Sequence, residues 1–254
     1  MFAAHNQFMG IYVGFDPGGA SGTGAFGWAV VSGDKWPPRL VGQGITHYAE
    51  DAFKAARDCA GSKITAVGID APLFWVSAGD RLVDRTVRLA IAPLGCPHGT
   101  VQHVNSLRGA CLIQGMLVAM LCRKRIAKGI PLTETHPKAL LWLIRIANRE
   151  RPPARVATAD LNDYVQLSRA EQASEHERDA VLSAVAAFAM DSQHNGWHDL
   201  YAHEPNAITP LSPPPGYWMP LNPEGGPRGT TSKRTSENDP GSLLLKNLAQ
   251  YPPY

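Results

Sequence analysis

Long apolar runs, paired cysteines and net charge are all scarce in this 254-residue chain. No uninterrupted apolar stretch approaches the ~18 residues that span a bilayer, so no membrane partner is expected. The opening residues, MFAAHNQFMGIYVGFD, lack a cationic start, an apolar core of signal-peptide length and a small-residue cleavage site. The expected location is therefore cytoplasmic. Four cysteines, Cys59, Cys96, Cys111 and Cys122, form no CxxC pair and read as reduced thiols rather than a disulfide framework. Cys96, His98, His103 and Cys111 are near neighbours in sequence, but their spacing matches no common zinc module. A net charge of +2 is too mild to demand a polyanionic partner by itself.

The glycine-rich opening is also incomplete as a phosphate cradle. GTGAFG at 22–27 has the GxGxxG pattern of dinucleotide-binding folds, which works only between a strand and a helix, with an acid about twenty residues on. Here it leads into WAVVSGD, too short and too β-branched for that helix, and no Lys-Ser/Thr follows as a P-loop requires. The glycines read instead as a hairpin loop beside a site, small enough for a substrate backbone to approach closely.

What is present is an α/β pattern. Strands are expected at 11–16, 26–32, 39–48, 63–70 and 130–135, and helices at 50–61, 107–129, 137–150 and 168–192. The expected organisation is one domain over 1–203 with a helical insert at about 75–128. A Pro/Gly-rich, loosely ordered tail at 204–254 follows, in which GYWMPL docks as a short strand.

Within that pattern, VGFD (13–16) and VGID (67–70) repeat Val-Gly-apolar-Asp at the ends of two strands. If those strands are parallel neighbours, Asp16 and Asp70 lie side by side where α/β folds place their sites. Two adjacent carboxylates repel unless a cation or a shared proton joins them. The last helix brings a third acid. His176, Asp179, Ala180, Ser183 and Ala187 share one helical face, whose small residues let the helix lie close to the sheet. Several polar helical turns are expected before Asp179, so the helix dipole does not account for it, and a buried ionised Asp there needs a partner. Glu134, ending a short strand before Pro137, is either a helix-capping acid or another ligand.

At these residues the sequence resembles the RNase H-like superfamily. More closely, it is similar to the predicted nuclease family catalogued as domain of unknown function four-two-nine. That family has an acid ending strand one, a β-hairpin, an acid in IDAPL, then E-x-[HY]-P and a C-terminal D-A helix. This chain shows GFDPG at 14–18, GIDAPL at 68–73, ETHP at 134–137 and HERDA at 176–180, with DRLVDRTVR (80–88) and VNSLRG (104–109) in the position of that family's insert. The glycine insertion GGASGTGAFG is longer than the tight β-hairpin turn of that layout. The resemblance implies a mixed sheet with strands one to three antiparallel and two further strands parallel to strand one, flanked by helices. His-x-x-Asp on the last helix is similar to the arrangement in some Holliday-junction resolvases, which adds His176 as a ligand or proton shuttle.

The implied chemistry is two-metal hydrolysis of phosphodiester bonds in DNA or RNA. Asp16, Asp70, Asp179 and Glu134 would hold Mg²⁺ or Mn²⁺, whose preference for oxygen ligands fits these acids. Arg81, Arg85, Arg88 and Arg108, or the RKR at 123–125, would meet substrate phosphates. A self-neutralising pattern such as DRLVDRTVR also reads as a solvated helix face. Two rivals carry the same residues: a phosphotransferase of the actin and sugar-kinase type, and a catalytically inactive RNase H-like nucleic-acid-binding or scaffold protein. The sequence leaves the oligomeric state open, a homodimer included.

Overall fold

Hydrophobic alternation sorts the sheet into two faces. In β1 (Gly10–Pro17), Val13 and Phe15 point to one side, whereas Tyr12, Gly14 and Asp16 point to the other. The computed structural model describes residues 9–18, 25–61, 63–77, 80–96, 99–102, 109–147, 161, 164–166 and 174–221. The glycine-rich segment 19–24, His98, His103, Arg108 and the tail beyond 221 lie outside them.

β1 pairs antiparallel with β2 (Phe26–Gly33), which pairs antiparallel with β3 (Arg39–Thr46). After α1 (Ala49–Ala60), β4 (Ala66–Ile69) returns parallel to β1. Helices α2 (Leu82–Ile91) and α3 (Gly109–Arg125) follow, then β5 (Leu132–Glu134), parallel to β4, and α4 (Pro137–Ala147). α5 (Glu175–Asp191) precedes β6 (His198–Asp199) and β7 (Gly216–Met219). β7 lies parallel to β5, and the sheet order is β3-β2-β1-β4-β5-β7-β6. The fold is thus a mixed α/β sheet, antiparallel over the first three strands, with β4 and β5 parallel to β1 and helices on both faces. That is consistent with the RNase H-like expectation. GYWM joins the sheet as β7 because Thr133 and Glu134 pair with Gly216 and Tyr217.

α1 and α3 cover the Val13–Phe15 side, with Phe53, Val118 and Ala119 in its core. α5 covers the opposite side so closely that side chains are excluded beneath it. A Cβ at Gly14 would collide with the carbonyl oxygen of Ala180, and one at Gly68 with that of Ser183. The glycine in each Val-Gly-apolar-Asp repeat is therefore where the backbone of α5 rests. Gly68→Ala should destabilise the protein by about 1–3 kcal/mol, since the atoms it meets are main chain and cannot rotate away. Urea unfolding measures this, and an unchanged midpoint would contradict the close packing.

α5 begins later than its sequence pattern suggests. Ser174 accepts a hydrogen bond from the Glu177 amide while the Glu177 side chain accepts one from Ser174 N–H, a capping box that starts the helix at Glu175. Asp179 therefore sits in the second turn, not several turns in. All four cysteines are free thiols. No helix among the described residues is long and apolar enough to cross a membrane.

Candidate active site

The two strand-end acids arise from one register. Val13, Gly14 and Phe15 pair with Val67, Gly68 and Ile69, and the Asp70 amide donates to the Phe15 carbonyl at 2.9 Å. Asp16 and Asp70 thus leave neighbouring parallel strands at the same level, on the face covered by α5. The first two turns of α5 add His176 and Asp179 to that end. His176 Nδ1 lies 2.6 Å from Asp16 Oδ2, and Arg178 holds its neighbour Asp179 through Nε and Nη2 at 3.0 and 2.8 Å.

The three carboxylates feel one another. Burial pushes Asp70 well above the usual carboxylate range, and the charges of Asp16 and Asp179 push it further. Burial also raises Asp16 against the pull of His176, and raises Asp179 to about 6 against the pull of Arg178. The Asp16 carboxylate in turn holds the His176 proton, raising the imidazole above its ordinary value. Among the described residues, none donates a hydrogen bond to the Asp70 carboxylate oxygens. Cys111 on α3, with Sγ 4.0 Å from the Asp70 carbonyl oxygen, is pushed up to about 12 by burial and by the charges of Asp70, Asp16 and Glu134.

A cation that the sequence did not single out completes this end. Lys138, second residue of α4, forms a 2.7 Å ion pair with Glu175 and exerts its charge on Asp16, Asp70 and Asp179. Burial works against its charge, but Glu175 and the acids outweigh that and leave its pKa raised. The available signal was THPK after a short strand: a Pro-started helix there begins at the same end of the sheet.

No protein family, curated protein or solved structure matches this chain. Its residues alone must carry a functional reading.

Glu134 does not join the three acids. It pairs with Ile69 and Tyr217, so alternation turns it away from Thr135, whose hydroxyl lies 2.7 Å from Ser183 of α5. Its carboxylate accepts the Leu73 amide and both terminal nitrogens of Arg81. Arg81 is 0% exposed and also grips Asp84 through Nε and Nη2, each at 2.8 Å. It is therefore an internal counter-ion and not the phosphate contact expected from sequence. Arg88 is paired with Asp80 at 2.6 Å, Arg85 is half-buried on α2, and Arg108 lies outside the described residues.

Asp84, Glu134 and His136 place three ligand atoms within 4.8 Å of one another, a possible metal-binding group and the only such group among the described residues. The Arg81 guanidinium already engages both carboxylates there. His136 is held neutral, pushed down to about 4 chiefly by burial, with Nδ1 3.0 Å from the Tyr217 hydroxyl. An ion at that position would have to displace a buried, bidentate arginine.

Proposed function

We propose that this protein is a metal-dependent nuclease, hydrolysing phosphodiester bonds of DNA or RNA with Asp16, Asp70 and Asp179 as ligands for Mg²⁺ or Mn²⁺. One observation carries the reading: two buried carboxylates, Asp16 and Asp179, and the partly buried Asp70 converge where two parallel strands end beneath α5, and Asp70 has no hydrogen-bond donor among the described residues. Such a set is relieved by a cation or a shared proton, and its all-oxygen donors suit a hard divalent ion.

Bound ions of this class neutralise the phosphate and activate water for in-line attack. The chain's own residues then have separate tasks. Asp16, besides holding an ion, would fix the His176 ring through Nδ1 and favour its protonated form. His176 is partly exposed, so its Nε2–H can deliver a proton to a leaving oxygen. Lys138, half-exposed beside the acids, can exchange Glu175 for a substrate phosphate.

Calorimetric titration of Mn²⁺ tests the reading without a known substrate. The wild type should bind saturably, and Asp16→Asn and Asp70→Asn should each weaken binding by at least about tenfold, or about 1.4 kcal/mol. Circular dichroism checks that the variants are folded. Binding untouched by both substitutions would remove these acids from the site and end the proposal.

A further inference from the structure

Among the described residues, Tyr48 is the one Phe, Tyr or Trp that is exposed, with 53% of its surface open to solvent. Its position makes the ring unexpected. Tyr48 is the N-cap of α1, a place that favours Ser, Thr, Asp or Asn because their side-chain oxygens accept a free helix amide. Its own side chain makes no such bond. Gln114 of α3 meets the Ala49 amide instead, through Oε1 at 3.0 Å. The ring therefore neither caps the helix nor fills the core.

Strand register sets this ring beside the acids. Asp16 pairs with Gly27 and Gly27 with Ile45, so the three form one row on the face under α5. At ~4.8 Å per strand, Ile45 lies ~10 Å from Asp16. It is 39% exposed, and a Cβ at its neighbour Gly27 would strike the His176 carbonyl. β3 runs in the direction of β1, so beyond Ile45 the chain reaches His47 and Tyr48 at the end of the sheet that holds the acids. Both rings are exposed, with centroids 6.1 Å apart. α3 spans the same gap: Gly115, next to Gln114, rests against Ala71 and Pro17, which follow Asp70 and Asp16. Lys138 stands on the β5 side, so the acids lie between a cation and a pair of exposed rings.

We propose, on the nuclease reading above, that Tyr48 stacks on an unpaired base of the strand whose phosphate reaches the acids. The substrate is then a single strand or the unpaired part of a duplex. A tyrosine ring accepts the π-face of any base, and a base within a duplex has no free face to offer. The charges that adjoin Tyr48 in α1 are the acids Glu50 and Asp51, which repel phosphate and leave the base as the group that suits this contact.

Binding of short oligothymidylate and oligouridylate, each carrying one fluorescent base analogue whose emission falls on stacking, tests it. Anisotropy is read in Ca²⁺, a hard ion for oxygen ligands, with probe integrity checked on a gel. The wild type should bind at least about tenfold more tightly to the single strand than to its duplex or to an abasic strand of equal length, and should quench the analogue. Tyr48→Ala should lose the quenching and that preference, a tenfold change being about 1.4 kcal/mol. Tyr48→Phe should keep both, because stacking uses the ring and not the hydroxyl. Circular dichroism verifies that both variants are folded. Unchanged binding in Tyr48→Ala, alone or with loss of a dimer in sedimentation, would overturn the stacking contact and leave the metal-site reading intact. Equal loss in Tyr48→Phe and Tyr48→Ala would overturn it too. A wild type that binds no strand at all would overturn the contact together with the nuclease reading.

Discussion

Arg81→Met should destabilise the protein by about 3–5 kcal/mol, the usual result of removing one partner from a buried ion network. Methionine replaces much of the apolar stem, and with it the packing beneath Phe74, over whose ring the guanidinium sits at 4.4 Å. It leaves Asp84 and Glu134 buried with no cation. Burial already pushes Glu134 up to about 7 with the arginine in place. Without it the Glu134 carboxylate can escape only by binding a proton. A buried acid whose folded pKa exceeds its unfolded value loses stability as pH rises between the two values. The defect should therefore be larger at pH 8 than at pH 5, and Asp84→Asn/Glu134→Gln added to Arg81→Met should recover most of it. Urea unfolding at both pH values measures this. A variant within about 1 kcal/mol of wild type at pH 8, the worth of a surface pair, would show that the network holds nothing together.

Asp179→Asn should act in the opposite direction, stabilising the chelator-treated protein by up to about 3 kcal/mol at pH 8. Asp179 is pushed from 3.8 to about 6 by burial, even with Arg178 beside it. Roughly two units at about 1.4 kcal/mol each set the magnitude. The folded carboxylate holds its proton more tightly than the unfolded one, so ionisation favours unfolding. The difference between variant and wild type is absent below pH 3.8, opens as pH rises towards about 6 and persists above it. On the proposed function, saturating Mn²⁺ should reverse the order, because only the wild type retains all three proposed ligands. Thermal unfolding across pH, with chelator and then with Mn²⁺, checks both halves. A gap that does not change with pH would mean that the Asp179 charge is not what destabilises the site. A site that weakens its own fold until occupied is the trade expected where function requires concentrated like charge.

Much of the acid cluster was legible because it is built from repetition and periodicity. VGFD and VGID share a pattern because they share a register on adjacent parallel strands, and their glycines match because one helix crosses both. His176, Asp179 and Ser183 could be placed on one face from the 3.6-residue period alone. The Ser174–Glu177 capping box in SEHE is a local signal too, and it starts α5 at Glu175, later than the expected 168.

By itself, then, the sequence determined the α/β class, the strand-end pairing of Asp16 with Asp70 and the buried helix that delivers Asp179. These are local patterns whose period of two or 3.6 residues dictates direction. Tertiary structure alone decided where the remaining charges went. DRLVDR reads as a solvated helix, and only a contact spanning 53 residues brings Arg81 to Glu134 inside the core. Glu134 parted from the other acids on strand parity, which a strand of three residues such as β5 is too short to reveal. Lys138 reached the site because α4 happens to begin at the end of the sheet where Asp70 emerges. Such pairings depend on which distant segments share a volume, and no local period encodes that.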